Sequence, residues 1–342
     1  MKSLKWYFVL PEIQEIPSGG NLYNAQLIGA LREQGVGLEA IDFSTYLEAR
    51  EQQLNVFFWI DTLFLEEFGA LPELAPSGMI HGLLVHHLDS LYPPTGVESD
   101  TWYAEKEAPI LPRFQWFLAT SPYTSTYLQQ RGFRASQIIV APPALNFKPQ
   151  KRGGDTEELR ALMVSNLVER KGVLPFLEGL AQRQDRMGPY HLTIVGSDEI
   201  EADYAEACQQ LLELYPALKN HVHLTGSLMP RKTQRYYNFS NLYLSTAYME
   251  TYGMSLQEAR AFRLPILALD GGNTSSHIRD GKNGHIFPTI SSLLDEFQLL
   301  SQDPIRFKSL HDRAQQCRTE DDYEWEQVAI RVLTALPTLS HE

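Results

Sequence analysis

The chain has 342 residues, 43% of them hydrophobic and 21% charged, with 29 basic against 42 acidic side chains and a net charge of −13. This balance fits a folded soluble protein of about two domains and excludes a disordered chain, a collagen and a coiled coil. Residues 1–150 carry 9 Lys+Arg against 16 Asp+Glu (−7) and the remainder 20 against 26 (−6), so neither half is built to grip nucleic acid. The two cysteines, Cys208 and Cys317, lie far apart, which excludes a disulfide framework and a cysteine-ligated zinc site.

The first apolar run, Trp6–Leu10, is shorter than the roughly 7–15 residues of a signal peptide. No run approaches the roughly 18 residues of a membrane-crossing helix. The reading is a first strand over Leu4–Leu10 in a soluble, cytoplasmic protein. A helix over Asn21–Glu33 follows, then strands over Leu54–Ile60, Met79–Val85 and Phe114–Thr120, a helix over Pro122–Arg131 and a strand over Gln137–Ala141. Strands separated by single helices predict βαβ units and a parallel sheet. Pro142-Pro143 and the stretch Pro149–Asp155 break the pattern and read as a domain linker.

The alternation then restarts. Strands are predicted over Leu159–Val164, His191–Val195, Val222–Thr225, Asn241–Thr246 and Pro265–Leu269. Helices are predicted over Val173–Gln182, Ala202–Leu214, Lys232–Phe239 and Met254–Phe262, with a last helical pattern over Tyr323–Leu336. The chain therefore reads as α/β, with two doubly wound domains and ligands beyond the carboxyl ends of the strands, in the cleft between them. Residues 86–112 lack periodicity, and a loop that long is often functional.

Five stretches could carry chemistry. Glu250-Thr-Tyr-Gly-Met-Ser-Leu-Gln-Glu258 follows a strand and opens a helix near Gly253. Backbone N–H groups of Tyr252, Gly253, Met254 and Ser255 would face outward there, a ready site for a phosphate. Glu250 and Glu258 flank it as acceptors for sugar or ribose hydroxyls. Lys171-Gly172, after the strand Leu159–Val164, can place a point charge on the same ligand, although a single such Lys is more often a solvated surface residue. Gly19-Gly20, between the first strand and first helix, permit close backbone approach. His86-His87 end the strand Met79–Val85 and point at the ligand edge. Asp270-Gly271-Gly272 form a further glycine-bearing loop on that edge. The chain has no H-E-x-x-H, C-x-x-C, G-x-S-x-G, Walker loop or D-x-D, so phosphate handling falls to backbone and Lys rather than to a metal ion.

These residues together resemble a family 4 retaining glycosyltransferase of the GT-B fold (glycosyl transferase group 1). The resemblance rests on Gly19-Gly20, the Ser121–Pro142 segment, Lys171-Gly172, the Glu250-x7-Glu258 run, Leu264-Pro-Ile through Gly271-Gly272 and Gly281-Lys-Asn-Gly284, and the terminal Tyr323-Glu-Trp325-Glu. It implies an acceptor-side Rossmann-like domain over residues 1–150, a nucleotide-sugar-binding domain over 151–320, and a closing helix over 321–342 that packs back on the first domain. It implies transfer of a sugar from a nucleotide-diphosphate sugar to a hydroxyl acceptor, a saccharide, glycan or small metabolite, without a metal or a permanently bound cofactor. His86 or His87 and Glu250 would be catalytic. Gly19, Gly20, Arg170, Lys171, Thr251, Tyr252, Gly253, Met254 and Glu258 would hold the donor, Glu258 at the ribose.

Two departures stand out. Ser165-Asn166 occupy the place of the family's Gly-Arg, whose Arg binds the diphosphate, and Arg170 is the expected substitute. Asn-Thr-Ser-Ser-His277 follows Gly271-Gly272 where the family often carries a Glu, so His277 contacts the sugar or caps a helix. The net −7 of residues 1–150 favours a soluble acceptor over an anionic lipid. The competing readings are another GT-B nucleotide-sugar enzyme such as an epimerase, and a non-catalytic binding subunit. Spacing leaves the donor base, the acceptor and the oligomeric state open.

Overall fold

The computed structural model describes residues 5–11, 18–52, 55–72, 78–147, 149, 158–317 and 324–336. The chain forms two compact units that meet in sequence between Ala144 and Leu145, and the last helix belongs to the first unit. The break thus falls just after Pro142-Pro143, a few residues ahead of position 150. Gln150–Asp155, the charged part of the expected linker, lies outside the described residues, as do Leu4, Leu54 and Tyr323 of the expected elements.

The first unit is built on β1 (Lys5–Val9), β2 (Leu38–Ile41), β3 (Val56–Asp61), β4 (Met79–Val85), β5 (Trp116–Ala119) and β6 (Ile138–Val140). They form one sheet in the order β2-β1-β3-β4-β5-β6, with every described pairing parallel. β3 (VFFWID) is buried at every position, the pattern of a strand covered on both faces. Its side chains alternate: Phe57 and Trp59 join one apolar cluster, Val56, Phe58 and Ile60 the other. The C-terminal helix Trp325–Ala335 places Val328, Ala329 and Val332 in the first cluster, beside Leu27, Ile28 and Leu31 of the helix Gly19–Glu33. The i, i+1, i+4 spacing of those residues makes one apolar stripe.

The second unit carries β7 (Leu159–Val164), β8 (Tyr190–Val195), β9 (Val222–Leu224), β10 (Leu242–Ser245), β11 (Ile266–Leu269) and β12 (Gly284–Phe287), in the order β12-β11-β10-β7-β8-β9 and again parallel. In each sheet the chain winds outward from its first strand to one edge and then to the other. The switch points lie between β1 and β3 and between β7 and β10, and ligands of such sheets bind beyond the strand ends there.

Residues 86–112 are not formless. They fold into short turns, including a π-helical turn at Tyr103–Glu107, a form that is common at functional sites. Buried Glu107 accepts the Ser90 amide at 2.9 Å and the Ser90 hydroxyl at 2.5 Å. Arg131 lies 4.2 Å from the Tyr103 ring and bonds Asp100 at 2.7 Å. The side chains that fix this segment sit at irregular intervals, which is why no period announces it. Among the described residues no helix is long and apolar enough to cross a membrane.

Candidate functional site

Each unit carries a polar cluster at its switch point. In the second, β7 runs into a tight turn, Glu169–Lys171, closed by Gly172 at φ +62°. A Cβ on Gly172 would stand 2.5 Å from the Thr246 carbonyl, so only glycine lets the loops after β7 and β10 approach this closely. Two bonds join them: the Thr246 hydroxyl donates to the Lys171 carbonyl at 2.6 Å, and the Tyr248 amide to the Arg170 carbonyl at 3.0 Å.

This junction brings Lys171 Nζ to 2.5 Å from Glu250 Oε1, with both side chains largely buried. Burial pushes the Lys171 amine down; the Glu250 carboxylate opposes that shift, and the like charge of Arg170 adds to it. A buried pair of this kind is weak evidence for stability, because desolvation offsets its attraction. It holds two opposite charges ready at a strand edge. Among the described residues the Arg170 guanidinium makes no hydrogen bond or ion pair, and it faces the same Lys171 neighbourhood.

After Glu250 the chain turns through Gly253, at φ +91°, into the helix Met254–Ala261. Gly253 caps this helix without a side-chain hydrogen bond, which leaves its first amides for an outside acceptor. The turn is locked from beneath. Asn273 Nδ2 donates to the Tyr252 carbonyl at 2.8 Å, His277 Nε2 to the same oxygen at 2.6 Å, and the Asn273 amide to the Glu250 carbonyl at 2.7 Å. Burial, foremost, drives the His277 pKa down to about 4, so the ring is neutral. His277, 3% exposed, thus supports the turn, and it also takes the second of its two expected roles by ending the short helix Asn273–Ser276, its amide donating to the Thr274 carbonyl at 3.1 Å. Packing also requires Gly271 and Gly272: their missing Cβ atoms would lie 2.3 Å from the carbonyls of Tyr248 and Glu250.

Glu258 sits one turn into the helix. Burial raises its carboxyl to about 7, and the nearby polar groups of Tyr237 and Asn146 oppose that shift. Thr251, Tyr252 and Met254 line the turn itself. Asn166 is committed elsewhere, its Oδ1 accepting the Ser197 amide at 2.9 Å across the loop after β8.

In the first unit Gly19 and Gly20 belong to the helix rather than to a loop before it. The helix starts at Gly19, and Ser18 caps it by accepting the Asn21 amide at 3.1 Å. The His86 ring packs on Gly20, where a Cβ would lie 3.4 Å from it, at van der Waals contact. His86 Nε2 is 2.7 Å from Asn24 Oδ1 and 3.5 Å from Asp61 Oδ2, and Asn24 Nδ2 donates to Asp61 Oδ2 at 2.8 Å. Burial pushes the His86 pKa down, with Asp61 opposing. His87 turns instead toward the exposed Asp89, 4.0 Å away. The structure therefore separates the two histidines, which spacing left equivalent. Sequence reasoning missed Asn24, Asp61, Asn273, Tyr237 and Asn146. Only Asp61, an acid closing an apolar strand, left a trace that could have been read.

Residues 146–318 match the family model described as glycosyl transferases group 1. The alpha-monoglucosyldiacylglycerol synthase of Acholeplasma laidlawii is 21% identical over 183 residues, a match that spans 49% of this chain and 45% of that relative's length. Among solved structures, a sucrose-phosphate synthase from Thermosynechococcus elongatus superposes with a TM-score of 0.72 at 17% identity, covering 97% of this chain and 98% of that one. Anabaena HepE in complex with UDP-glucose superposes with a TM-score of 0.73 at 15% identity, covering 97% and 100%. These likenesses establish the shared fold.

Proposed function

The chain belongs to the glycosyl transferases group 1 family, and on that premise we propose that it moves a sugar from a nucleoside diphosphate sugar to a hydroxyl acceptor, with retention at the anomeric carbon and without a metal ion. The observation that carries this reading is the Lys171–Glu250 pair, 2.5 Å apart at the switch point of the second sheet and next to the uncapped helix at Gly253. As the bond between anomeric carbon and phosphate oxygen breaks, charge gathers on the departing diphosphate. Lys171, Arg170 and the helix amides meet that charge in place, the kind of fixed electrostatic stabilisation that usually contributes most to rate. Positive charge for the diphosphate is thus available from the chain's own groups.

Glu250 accepts hydroxyls of the transferred sugar and keeps Lys171 aimed. Glu258 accepts ribose hydroxyls, and hydrogen bonds of that kind favour its ionised form. Binding near pH 7 therefore releases part of a proton. Gly20 and His86 are the first unit's own candidates for contact with a sugar hydroxyl. The attacking hydroxyl passes its proton to the leaving phosphate, as the family resemblance implies, so no carboxylate nucleophile is assigned. The net −7 of residues 1–150 supports a soluble acceptor over an anionic lipid. A lipid acceptor like that named for the Acholeplasma relative is the alternative to screen.

The test is incubation with UDP-, GDP-, ADP- and TDP-sugars and an acceptor panel that includes diacylglycerol glycosides, read by nucleotide release and product mass. Anomeric coupling in the first product reports retention. Release of nucleotide with no new glycoside points to an epimerase-type reaction. Asn166, bonded to Ser197 where the family commonly has Arg, favours one rival, a non-catalytic binding subunit. Weak or absent nucleotide binding, with no turnover across the panel, would favour that rival.

A further inference from the structure

The first unit holds a chain of three side chains, Asp61, Asn24 and His86, of which the sequence motifs account only for His86. Asp61 closes β3 and is 1% exposed. Its Oδ1 accepts the Leu63 amide at 3.0 Å, and its Oδ2 accepts Asn24 Nδ2 at 2.8 Å. A carboxylate facing an amide side chain can only accept, so Asn24 must present its NH2 to Asp61 and its Oδ1 to His86. That oxygen lies 2.7 Å from His86 Nε2, and Asp61 Oδ2 lies 3.5 Å from the same nitrogen. Both neighbours of Nε2 are acceptors. Nε2 therefore carries the proton of the neutral ring, and Nδ1 carries the lone pair.

Among the described residues Nδ1 has no hydrogen-bond partner, and the side chain is 16% exposed. The ring is clamped in that pose. Its face lies on Gly20, Tyr23 meets it edge-on at 5.3 Å, and the His86 amide donates to Thr62 Oγ1 at 3.3 Å.

We propose that Asp61 and Asn24 are positioning residues that fix His86 as an acceptor at Nδ1, which selects a substrate that donates a hydroxyl to the first unit's switch point. This rests on the transfer reaction proposed above, and extends it to two residues outside the family motifs. The substitution Asp61→Asn makes a sharp prediction. The introduced side-chain amide would keep its oxygen on the Leu63 amide and turn its NH2 to Asn24. Asn24 would then flip and offer its own NH2 to His86. Nε2 would have to accept, and the proton would move to Nδ1.

The experiment records ring-nitrogen NMR of 15N-histidine-labelled protein at neutral pH, with His86 assigned by His86→Gln. It is paired with turnover and nucleotide titration of Asp61→Asn. The parent is expected to show protonated Nε2 and bare Nδ1. Asp61→Asn is expected to invert the two and lower kcat about 10- to 100-fold, the loss of one buried hydrogen bond to substrate, with nucleotide Kd within threefold of the parent. A parent ring protonated at Nδ1 overturns the proposal, even if Asp61→Asn fails to fold. An inverted ring with unchanged kcat overturns the positioning role. A parent without turnover on any donor counts against the transfer reaction itself, and the relay then stands or falls on the ring signals.

Discussion

The two switch points solve different problems with similar parts. In the second unit a carboxylate meets a cation directly, Glu250 on Lys171, beside helix amides that have no cap. In the first unit a carboxylate meets a histidine mainly through an intervening amide, Asp61 to Asn24 to His86. The direct pair keeps full charges at hand for a ligand that brings its own negative charge. Burial favours the neutral ring, and the relayed pair dictates which of its nitrogens donates. One cluster is built for charge and the other for hydrogen-bond polarity, and substitutions should separate them.

The largest effect is expected at the charged cluster. Lys171→Ala should lower turnover by about 10²–10³, comparable to losing one preorganised donor. A rate within threefold of the parent would remove Lys171 from the reaction. The next effect is on stability. Glu258 has a folded pKa near 7 against its ordinary 4.5, so the folded protein holds that proton more tightly. Its contribution, on the order of 3 kcal/mol, is complete below pH 4.5 and lost as pH rises to 7. Glu258→Gln should flatten the fall in unfolding free energy over that window. His277 has the opposite sign: held down to about 4, it adds stability as pH rises from 4 to 6.5.

Gly172→Ala should cost about 2 kcal/mol or more, since it forces a left-handed residue and a Cβ against the Thr246 carbonyl. A thermal midpoint equal to the parent's would contradict the close approach of the two loops. Arg170→Ala should weaken nucleotide binding about tenfold. Unchanged affinity would mean that nothing replaces the Arg missing at Asn166. The smallest effect is predicted for His87→Ala, within threefold of the parent in kcat/KM, whereas His86→Ala should lose at least tenfold. Equal losses would erase the distinction between the two rings.

Most of the architecture was legible because buried strands and amphipathic helices obey their periods. Met79–Val85, Leu159–Val164 and Ala202–Leu214 fall where the pattern put them. The strands it missed, Leu38–Ile41 and Gly284–Phe287, are the edge strands on the β2 and β12 sides of the two sheets. Each is four residues long, follows a glycine-bearing turn and is only partly buried, so its apolar signal is weak. At the site, Lys171 and Glu250 were readable because each follows a strand that announces itself. Asn24 and Asp61 were not. They are 37 residues apart, and only the adjacency of β1 and β3 in the sheet brings the first helix over the end of β3. His277 was visible as an oddity but not as a support, because its partner is a backbone carbonyl 25 residues away.

The central claim is that the second switch point binds a nucleoside diphosphate. Calorimetric titration of the parent and of Lys171→Ala with UDP, GDP, ADP and TDP tests it directly. One nucleotide is expected to bind the parent, release part of a proton near pH 7, and bind Lys171→Ala at least tenfold more weakly. Failure of all four nucleotides to bind, or binding that Lys171→Ala leaves untouched, would contradict it.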